Sequence, residues 1–285
     1  IFRYWNPFFA PSLGLIARIV KKKSTSTKLI SLCDNILPHE SVPFARLLTT
    51  YLFKILDGHL VQSSQTEKEL QEVVKNPIYE KRFHPINTNF PPKIDKITAR
   101  KKLSLSAKNI ILYFGIIRDY KGFDILLKAI AKLKNSGLDF HLLTGGECYG
   151  NDEKYTQLIS DLEISDFVTW HNKYIPDSDV AEYFSAADVV ALPYRSASQS
   201  GITQIAYYYD IPVIVTKVGG LPEIVDEGQS GFTIKPDNPK ELANVLETHL
   251  NNGTFLEMED YIKTFKQKFS WEYFIDGIES VYSKI

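Results

Sequence analysis

From Asn109 onward, short apolar runs alternate with longer segments whose apolar positions recur every three or four residues. The runs are "NIILYFGI", "FHLLTGG", "FVTWHNKY", "DVVALPY", "IPVIVT" and "GFTIKP". Their β-branched and aromatic content, without strict alternation, predicts strands covered on both faces. The segments between them, "YKGFDILLKAIAKLKNSG", "NDEKYTQLISDLEI", "SDVAEYFSAA", "GITQIAYYYD" and "NPKELANVLETHLNNG", carry the helical period. Strand and helix in turn predict a doubly wound parallel sheet. Asp177 or Ser178 is expected to cap one helix, Gly137 to end another, and Pro222 to sit in the first turn of a third.

The first ninety or so residues repeat the theme less completely. "KLISLCDN", "HLVQSS" and "EKRFHPIN" read as strands, and "FARLLTTYLFKILD" and "QTEKELQEVV" as helices, like the second half of another doubly wound domain. The opening "IFRYWNPFFAPSLG" lacks the plan of a signal peptide and reads as a strand entered midway, so an earlier part of this domain is expected to be absent. "TNFPPKIDKITARKKLSLSA" suits a linker with a short helix. The expected organisation is therefore residues 1–92 as a partial first domain, 93–269 as a second, and 270–285 as a helix packing back across both.

Composition narrows the function. The 285 residues are 44% hydrophobic, enough for buried cores, and 33 basic against 34 acidic residues steer nothing toward nucleic acid. "RIVKKKSTST" is the one basic cluster, read first as a solvated helix end, with an anionic membrane or a phosphorylated acceptor as the functional alternative. Cys33 and Cys148 fall in different expected domains and match no metal-ligand spacing. A reduced, cytoplasmic setting is expected, with peripheral contact at the inner membrane face as the alternative. No apolar run approaches the roughly 20 residues that span a bilayer.

Ligands of open parallel sheets bind beyond the carboxyl ends of the strands, so the informative residues follow strands. After "ILYFG", which ends in Gly115, come Arg118 and Lys121; after "VVALPY" comes "RSASQSG", where Ser200, Gly201 and Ile202 open a helix. Two cations and the positive end of a helix dipole describe a diphosphate site that needs no metal. On that helix Ile202, Ile205, Ala206 and Tyr209 are expected to face the core, while Ser200, Gln204 and Tyr208 share another stripe. Glu223 starts the next helix, either as a ligand group or as a partner of the helix dipole.

Taken together, "NPFFAPSLG", "CDNILPHE", "FGIIRDYKGFDILLKA" and "AADVVALPYRSASQSGITQIAYYYDIPVIVTKVGGLPEIVDEGQSGFTIKP" make the chain resemble the retaining glycosyltransferases of the GT-B fold, in particular glycosyltransferase family 4. The resemblance implies two Rossmann-like domains facing a cleft, a nucleotide sugar held mainly by the second and an acceptor mainly by the first. It places Lys121 on the family's phosphate-binding lysine, with Arg118 displaced from the usual arginine position next to Gly115. Where the family carries two glutamates, this chain has Ser196 and Gln204; Gln204 can still meet a ribose, and Ser198, Gln199 or Ser200 must replace the first carboxylate. The backbone at Lys173, Tyr174 and Ile175 is expected near the nucleobase. Asp34, Asn35, His39 and Glu40 are expected on the acceptor side, each with a satisfied loop network as the plain alternative, and His84 is expected to be structural.

The implied chemistry is transfer with retention, in which the departing diphosphate takes the acceptor's proton while Arg118, Lys121 and the amides from Ser200 to Ile202 stabilise its charge. Asp34 and His39 complete the expected catalytic set. No Asp-x-Asp pair is read after a strand, and neither a metal nor a cofactor beyond the donor sugar nucleotide is expected. The expected partners are that donor and a glycan or lipid-linked acceptor. A catalytically weak sugar-nucleotide-binding protein or partner subunit is the second reading, and a sugar-nucleotide epimerase of the same fold the third.

Overall fold

The computed structural model describes residues 1–37, 43–197 and 199–285. In chain order its elements are β1 (Phe2–Tyr4), α1 (Ala10–Lys23), β2 (Ile30–Cys33), α2 (Ala45–Phe53), β3 (Gly58–Val61), α3 (Ser64–Val73), β4 (Tyr79–Lys81), α4 (Lys96–Lys102), β5 (Asn109–Phe114), α5 (Phe123–Leu133), β6 (Phe140–Gly145) and α6 (Glu153–Asp161). They continue with β7 (Val168–His171), α7 (Val180–Ala186), β8 (Val189–Leu192), α8 (Gly201–Tyr208), β9 (Val213–Thr216), β10 (Gly231–Ile234), α9 (Pro239–Asn251), α10 (Thr254–Phe265) and α11 (Trp271–Lys284). The chain divides into two units, Ile1–Pro85 with Lys268–Ile285, and Ile86–Gln267.

The first unit is a four-stranded parallel sheet in the order β1-β2-β3-β4, with Arg3 opposite Leu32 and Leu32 opposite Leu60. Every position of β3 is buried, as the absence of polar alternation in "GHLV" requires. One core gathers Tyr4, Leu52, Phe53 and Leu70; the other is closed by α11, whose Phe274 and Val281 meet Ile30 and Leu60. His59 belongs to this interior: its ring stacks on Phe53 at 5.1 Å and its Nδ1 shares a 2.8 Å hydrogen bond with Ser31 Oγ. Burial pushes its pKa down to about 4, so the imidazole is neutral.

The second unit is a six-stranded parallel sheet in the order β10-β9-β8-β5-β6-β7. The chain winds outward from β5 through β6 to β7, then returns to β8 on the other side of β5, which makes the β5/β8 pair the topological switch point. β5, β8 and β9 are buried throughout. α5 seals one face with Phe123, Ile125, Leu126, Leu127, Ala129, Ile130 and Leu133, each of the six larger side chains contributing about 1.5 to 3 kcal/mol by burial.

Several local expectations change. The unit boundary falls at Pro85 rather than near Pro92, because Tyr208 and Tyr209 donate from their hydroxyls to the carbonyls of Phe90 (3.0 Å) and Pro91 (2.7 Å), and Lys96 and Arg100 pair with Asp188. α11 packs on the sheet of the first unit. α10 is an additional helix whose Phe255, Met258, Ile262 and Phe265 are buried. Asp179 takes the N-cap position of α7 without a side-chain capping bond, since Asp177–Asp179 is itself a 3-10 turn. Pro222 opens only the four-residue 3-10 turn Leu221–Ile224, because the chain reverses at once through amides of Gln229 and Ser230 donated to the Asp226 carbonyl.

Candidate functional site

The loops beyond β5 and β6 continue the sheet's pairing past its edge: the Gly115 amide donates to the Gly145 carbonyl (2.8 Å), Ile117 to Glu147 (2.9 Å) and Tyr149 to Ile117 (3.0 Å). The β5 loop then folds into the 3-10 turn Asp119–Lys121 and enters α5 through Gly122. Gly122 has φ +67°, and a Cβ there would stand 2.0 Å from the Pro193 carbonyl oxygen. Only glycine allows the β5 and β8 exits to lie this close.

Arg195 fastens the same two loops. Its guanidinium grips Asp124 in two bonds of 2.9 and 2.8 Å, donates to the Asp119 carbonyl at 2.7 Å and reaches Asp237 at 2.7 Å. Its own amide donates to the Tyr120 carbonyl. A planar fork suits so many acceptors better than an ammonium could. Arg195 went unnoticed in the sequence because its partners lie 71 and 42 residues away.

Within this frame Lys121 Nζ lies 3.9 Å from where a Cβ on Gly115 would stand, and the Ile202 side chain lies 3.1 Å from that same point. The ammonium is 5.7 Å from the centre of the Tyr194 ring. Among the described residues no carboxylate pairs with it. Burial first, and the charge of Arg118 second, lower its pKa to about 8, so it remains a cation at neutral pH. The structure thus brings together Gly115, Lys121 and the start of α8.

At that start Ser200 is the N-cap: its hydroxyl accepts from the Ile202 amide at 3.3 Å and its carbonyl accepts from the Thr203 hydroxyl at 2.6 Å. The Ile202 amide is therefore partly engaged, and the other amides of the first turn belong to the set a helix leaves without internal partners. Among the described residues Gly201 has no neighbour within 4 Å of a would-be Cβ.

The faces of α8 differ from expectation in part: Ala206 and Tyr209 are buried as expected, but Ile202 and Ile205 are not. Thr203, Gln204, Ala206 and Tyr207 are buried, while Ile202 and Ile205 are half-buried. Polar residues take the inner stripe because each has a local partner, as when the Tyr207 hydroxyl donates to the Ile224 carbonyl at 2.9 Å. Ser200 and Gln204 remain 7% and 8% exposed. Glu223 is half-buried in a 3-10 turn too short to carry a helix dipole, which removes the dipole-partner alternative.

Arg118 takes a different direction from Lys121. Its guanidinium lies 5.4 Å from the Tyr149 ring centre, in a groove of about 530 Å³ that Lys154 and Tyr155 of α6 also line. Neither Lys121 nor α8 lines that groove. Lys173 and Tyr174 are exposed after β7, and Ile175 is buried. Ser196 is exposed, Gln199 is half-buried, and Ser198 lies outside the described residues.

In the first unit Asp34 directly follows β2 with both oxygens engaged, accepting from Arg3 Nε at 2.7 Å and from Gln62 Nε2 at 3.0 Å. It is a satisfied network. Asn35 is half-buried beside it; His39 and Glu40 lie outside the described residues. His84 shares a 2.8 Å hydrogen bond with the Pro85 carbonyl, a structural contact. Contrary to expectation, Asp177 and Asp179 do form an Asp-x-Asp spacing after β7, but it belongs to the turn opening α7, where Ser178 donates to Asp179 at 2.7 Å. Among the described residues no group of three acidic, histidine or cysteine side chains converges to hold a metal, and no helix is long and apolar enough to cross a membrane.

Comparison with known proteins bears on this geometry. The family described as Glycosyl transferases group 1 matches residues 95–269. By sequence the chain is 30% identical over 210 residues to a D-inositol 3-phosphate glycosyltransferase of Corynebacterium jeikeium (strain K411), a match covering 69% of this chain and 49% of that protein. The chain thus spans about half the length of the curated relatives it matches. By structure it is similar to Anabaena HepE in complex with UDP, with TM-score 0.83, 18% identity, and coverage of 97% of this chain and 77% of that one. It is also similar to a sucrose-phosphate synthase from Thermosynechococcus elongatus, with TM-score 0.73, 21% identity, and coverage of 95% and 71%. These likenesses show the GT-B fold. The matched segment contains the whole β5/β8 switch point, from Gly115 and Lys121 to the start of α8, and the chain belongs to the family Glycosyl transferases group 1.

Proposed function

We propose that the protein is a retaining glycosyltransferase that moves a hexose-type sugar from a nucleoside-diphosphate sugar to a glycan, glycolipid or similar acceptor. One observation carries the reading: the desolvated ammonium of Lys121 has no carboxylate partner among the described residues and stands beside the opening of α8 at the switch point. A cation kept without a counter-charge at a helix N-terminus suits a ligand that brings its own negative charge. In the reaction the bond from the anomeric carbon to the diphosphate breaks, the acceptor oxygen bonds to that carbon on the same face, and the acceptor's proton passes to the departing phosphate oxygen. Lys121 and the free amides at Gly201 stabilise the charge that develops there. Because protein groups supply this neutralisation, no divalent metal takes part, and turnover persists in excess chelator.

The test is Lys121→Ala, with UDP titrated by calorimetry and initial rates followed with UDP-glucose, the ligands of the related Anabaena complexes. The expected loss is about 2 to 4 kcal/mol in binding and transfer together. Unchanged affinity and rate would remove Lys121 from the site. The exposed serine at position 196 and the glutamine at 204, where the resembled family carries carboxylates, favour a second reading as a sugar-nucleotide-binding partner subunit. That reading predicts UDP binding sensitive to Lys121 with no transfer to any acceptor tried.

A further inference from the structure

Tyr194 touches both halves of the candidate anion site. Its ring centre lies 5.7 Å from Lys121 Nζ, and its hydroxyl lies 3.4 Å from Ser200 Oγ, at the N-cap of α8. Both residues of that second contact are buried, Tyr194 at 2% and Ser200 at 7% exposed. Tyr194 is also held from several sides. The Thr216 hydroxyl at the end of β9 donates to its carbonyl, its amide donates to the Leu192 carbonyl at 2.9 Å, and its ring meets the Tyr120 ring edge to face at 6.4 Å. A phenol fixed in this way cannot swing out to water, so its hydroxyl has to be satisfied where it stands.

Counting protons gives the contact a direction. Burial above all holds the Tyr194 pKa well above the ordinary phenol value, so the hydroxyl keeps its proton. Among the described residues its hydrogen-bond partner is Ser200 Oγ, so Tyr194 donates and Ser200 accepts. Ser200 Oγ accepts a second time, from the Ile202 amide at 3.3 Å. A serine hydroxyl has two acceptor lone pairs and one proton. With both lone pairs taken, the proton remains to be donated, and among the described residues no acceptor receives it. A spare donor at a helix N-terminus, in the same site as an ammonium without a carboxylate, is placed for an anionic oxygen.

We propose that Tyr194 is a positioning residue for the diphosphate site: by occupying one lone pair of Ser200 it turns the serine proton toward a phosphate oxygen, while its ring lies against the Lys121 ammonium. The role rests on the nucleoside-diphosphate reading above and extends it to a residue that meets no ligand itself. Calorimetry with UDP and with uridine tests it. Tyr194→Phe keeps the ring and loses the hydroxyl, so UDP should bind roughly tenfold more weakly, uridine should bind as before, and the pH dependence that Lys121 imposes on UDP binding should persist. Ser200→Ala should weaken UDP binding at least as much, and the double variant should be no weaker than Ser200→Ala alone, because Tyr194 acts only through Ser200. Should the alanine variant fail to fold for want of its helix cap, Ser200→Gly, a milder change at an N-cap, takes its place in the cycle. Unchanged UDP affinity in Tyr194→Phe, an equal loss for uridine, or losses that add in the double variant would overturn the role and leave the diphosphate site standing. UDP binding indifferent to Lys121→Ala would overturn the reading and the role together.

Discussion

At the carboxyl end of β2 the Asp34 carboxylate holds Arg3 and Gln62, whereas beyond β5 the Lys121 ammonium sits half-buried with no carboxylate beside it among the described residues. The two units are built alike, as parallel sheets with helices on their faces, yet they treat charge in opposite ways. In the first unit the buried and half-buried titratable groups along the sheet are matched or neutralised: Lys21 meets Asp57, Arg82 meets Glu80, and His59 is held neutral by burial. In the second unit Arg195 is fully matched, but its effect is to fix a frame in which Lys121 is not. An unmatched buried charge costs stability. It persists where a ligand supplies the missing partner.

The sharpest way to break this comparison is Gly201→Val. Because a Cβ at Gly201 meets none of the described residues within 4 Å, the chain should fold as before, while the branched side chain occupies the space a phosphate oxygen needs. Calorimetry with UDP should then detect no binding, and wild-type affinity in a folded variant would detach the α8 terminus from the site.

The neutral, buried His59 predicts the next largest effect, and in the other unit. Its folded pKa, about 4, lies below its unfolded value of 6.5, so below pH 6.5 the unfolded chain binds the extra proton and stability falls until pH 4. The loss reaches about 3 kcal/mol. Urea unfolding at stepwise pH should show it, and His59→Phe should flatten the profile between those limits; an identical profile in that variant would assign the acid sensitivity to other groups.

Gln204 tests the ribose end. Replacement by Leu should weaken UDP and uridine alike by about 1 to 2 kcal/mol, because a ribose hydroxyl loses its partner. Replacement by Glu should leave binding equal or tighter. If both variants match wild type, Gln204 is only a buried member of α8.

The smallest effect concerns Lys121 itself. Its pKa near 8 means the free site loses its charge as pH rises, whereas the diphosphate complex needs the protonated form. UDP affinity should fall roughly fourfold between pH 7 and pH 8.5, with proton uptake on binding. A flat profile, or one that rises, would mean that the ammonium does not meet the phosphates.

All six strands of the second unit and the crossover helices between them were legible, because continuous β-branched runs and a three-to-four period reflect burial that each segment needs for itself. Lys121 and Gly201 were legible for a related reason: they lie in the loops that follow strands, or at the end of one, where the fold class places ligands. α10 was passed over. The inner stripe of α8 was misread because Thr203 and Tyr207 look polar in sequence and become core residues only once Ser200, Ile224 and Ser230 supply hydrogen-bond partners.

What the sequence determined by itself was the alternation of elements, the doubly wound class and the loops where a charged ligand would lie, since these depend on local pattern. Tertiary structure decided what depends on distant partners. The return of the chain to β8 beside β5 created the switch point, and Arg195 closed it through Asp124 and Asp237. The same packing turned Arg118 toward Tyr149 and left Lys121 at Gly115, although the two cations are three positions apart. Neighbours in sequence share a loop, but the direction of each side chain is set by what packs against that loop, and this is known only when the whole sheet is assembled.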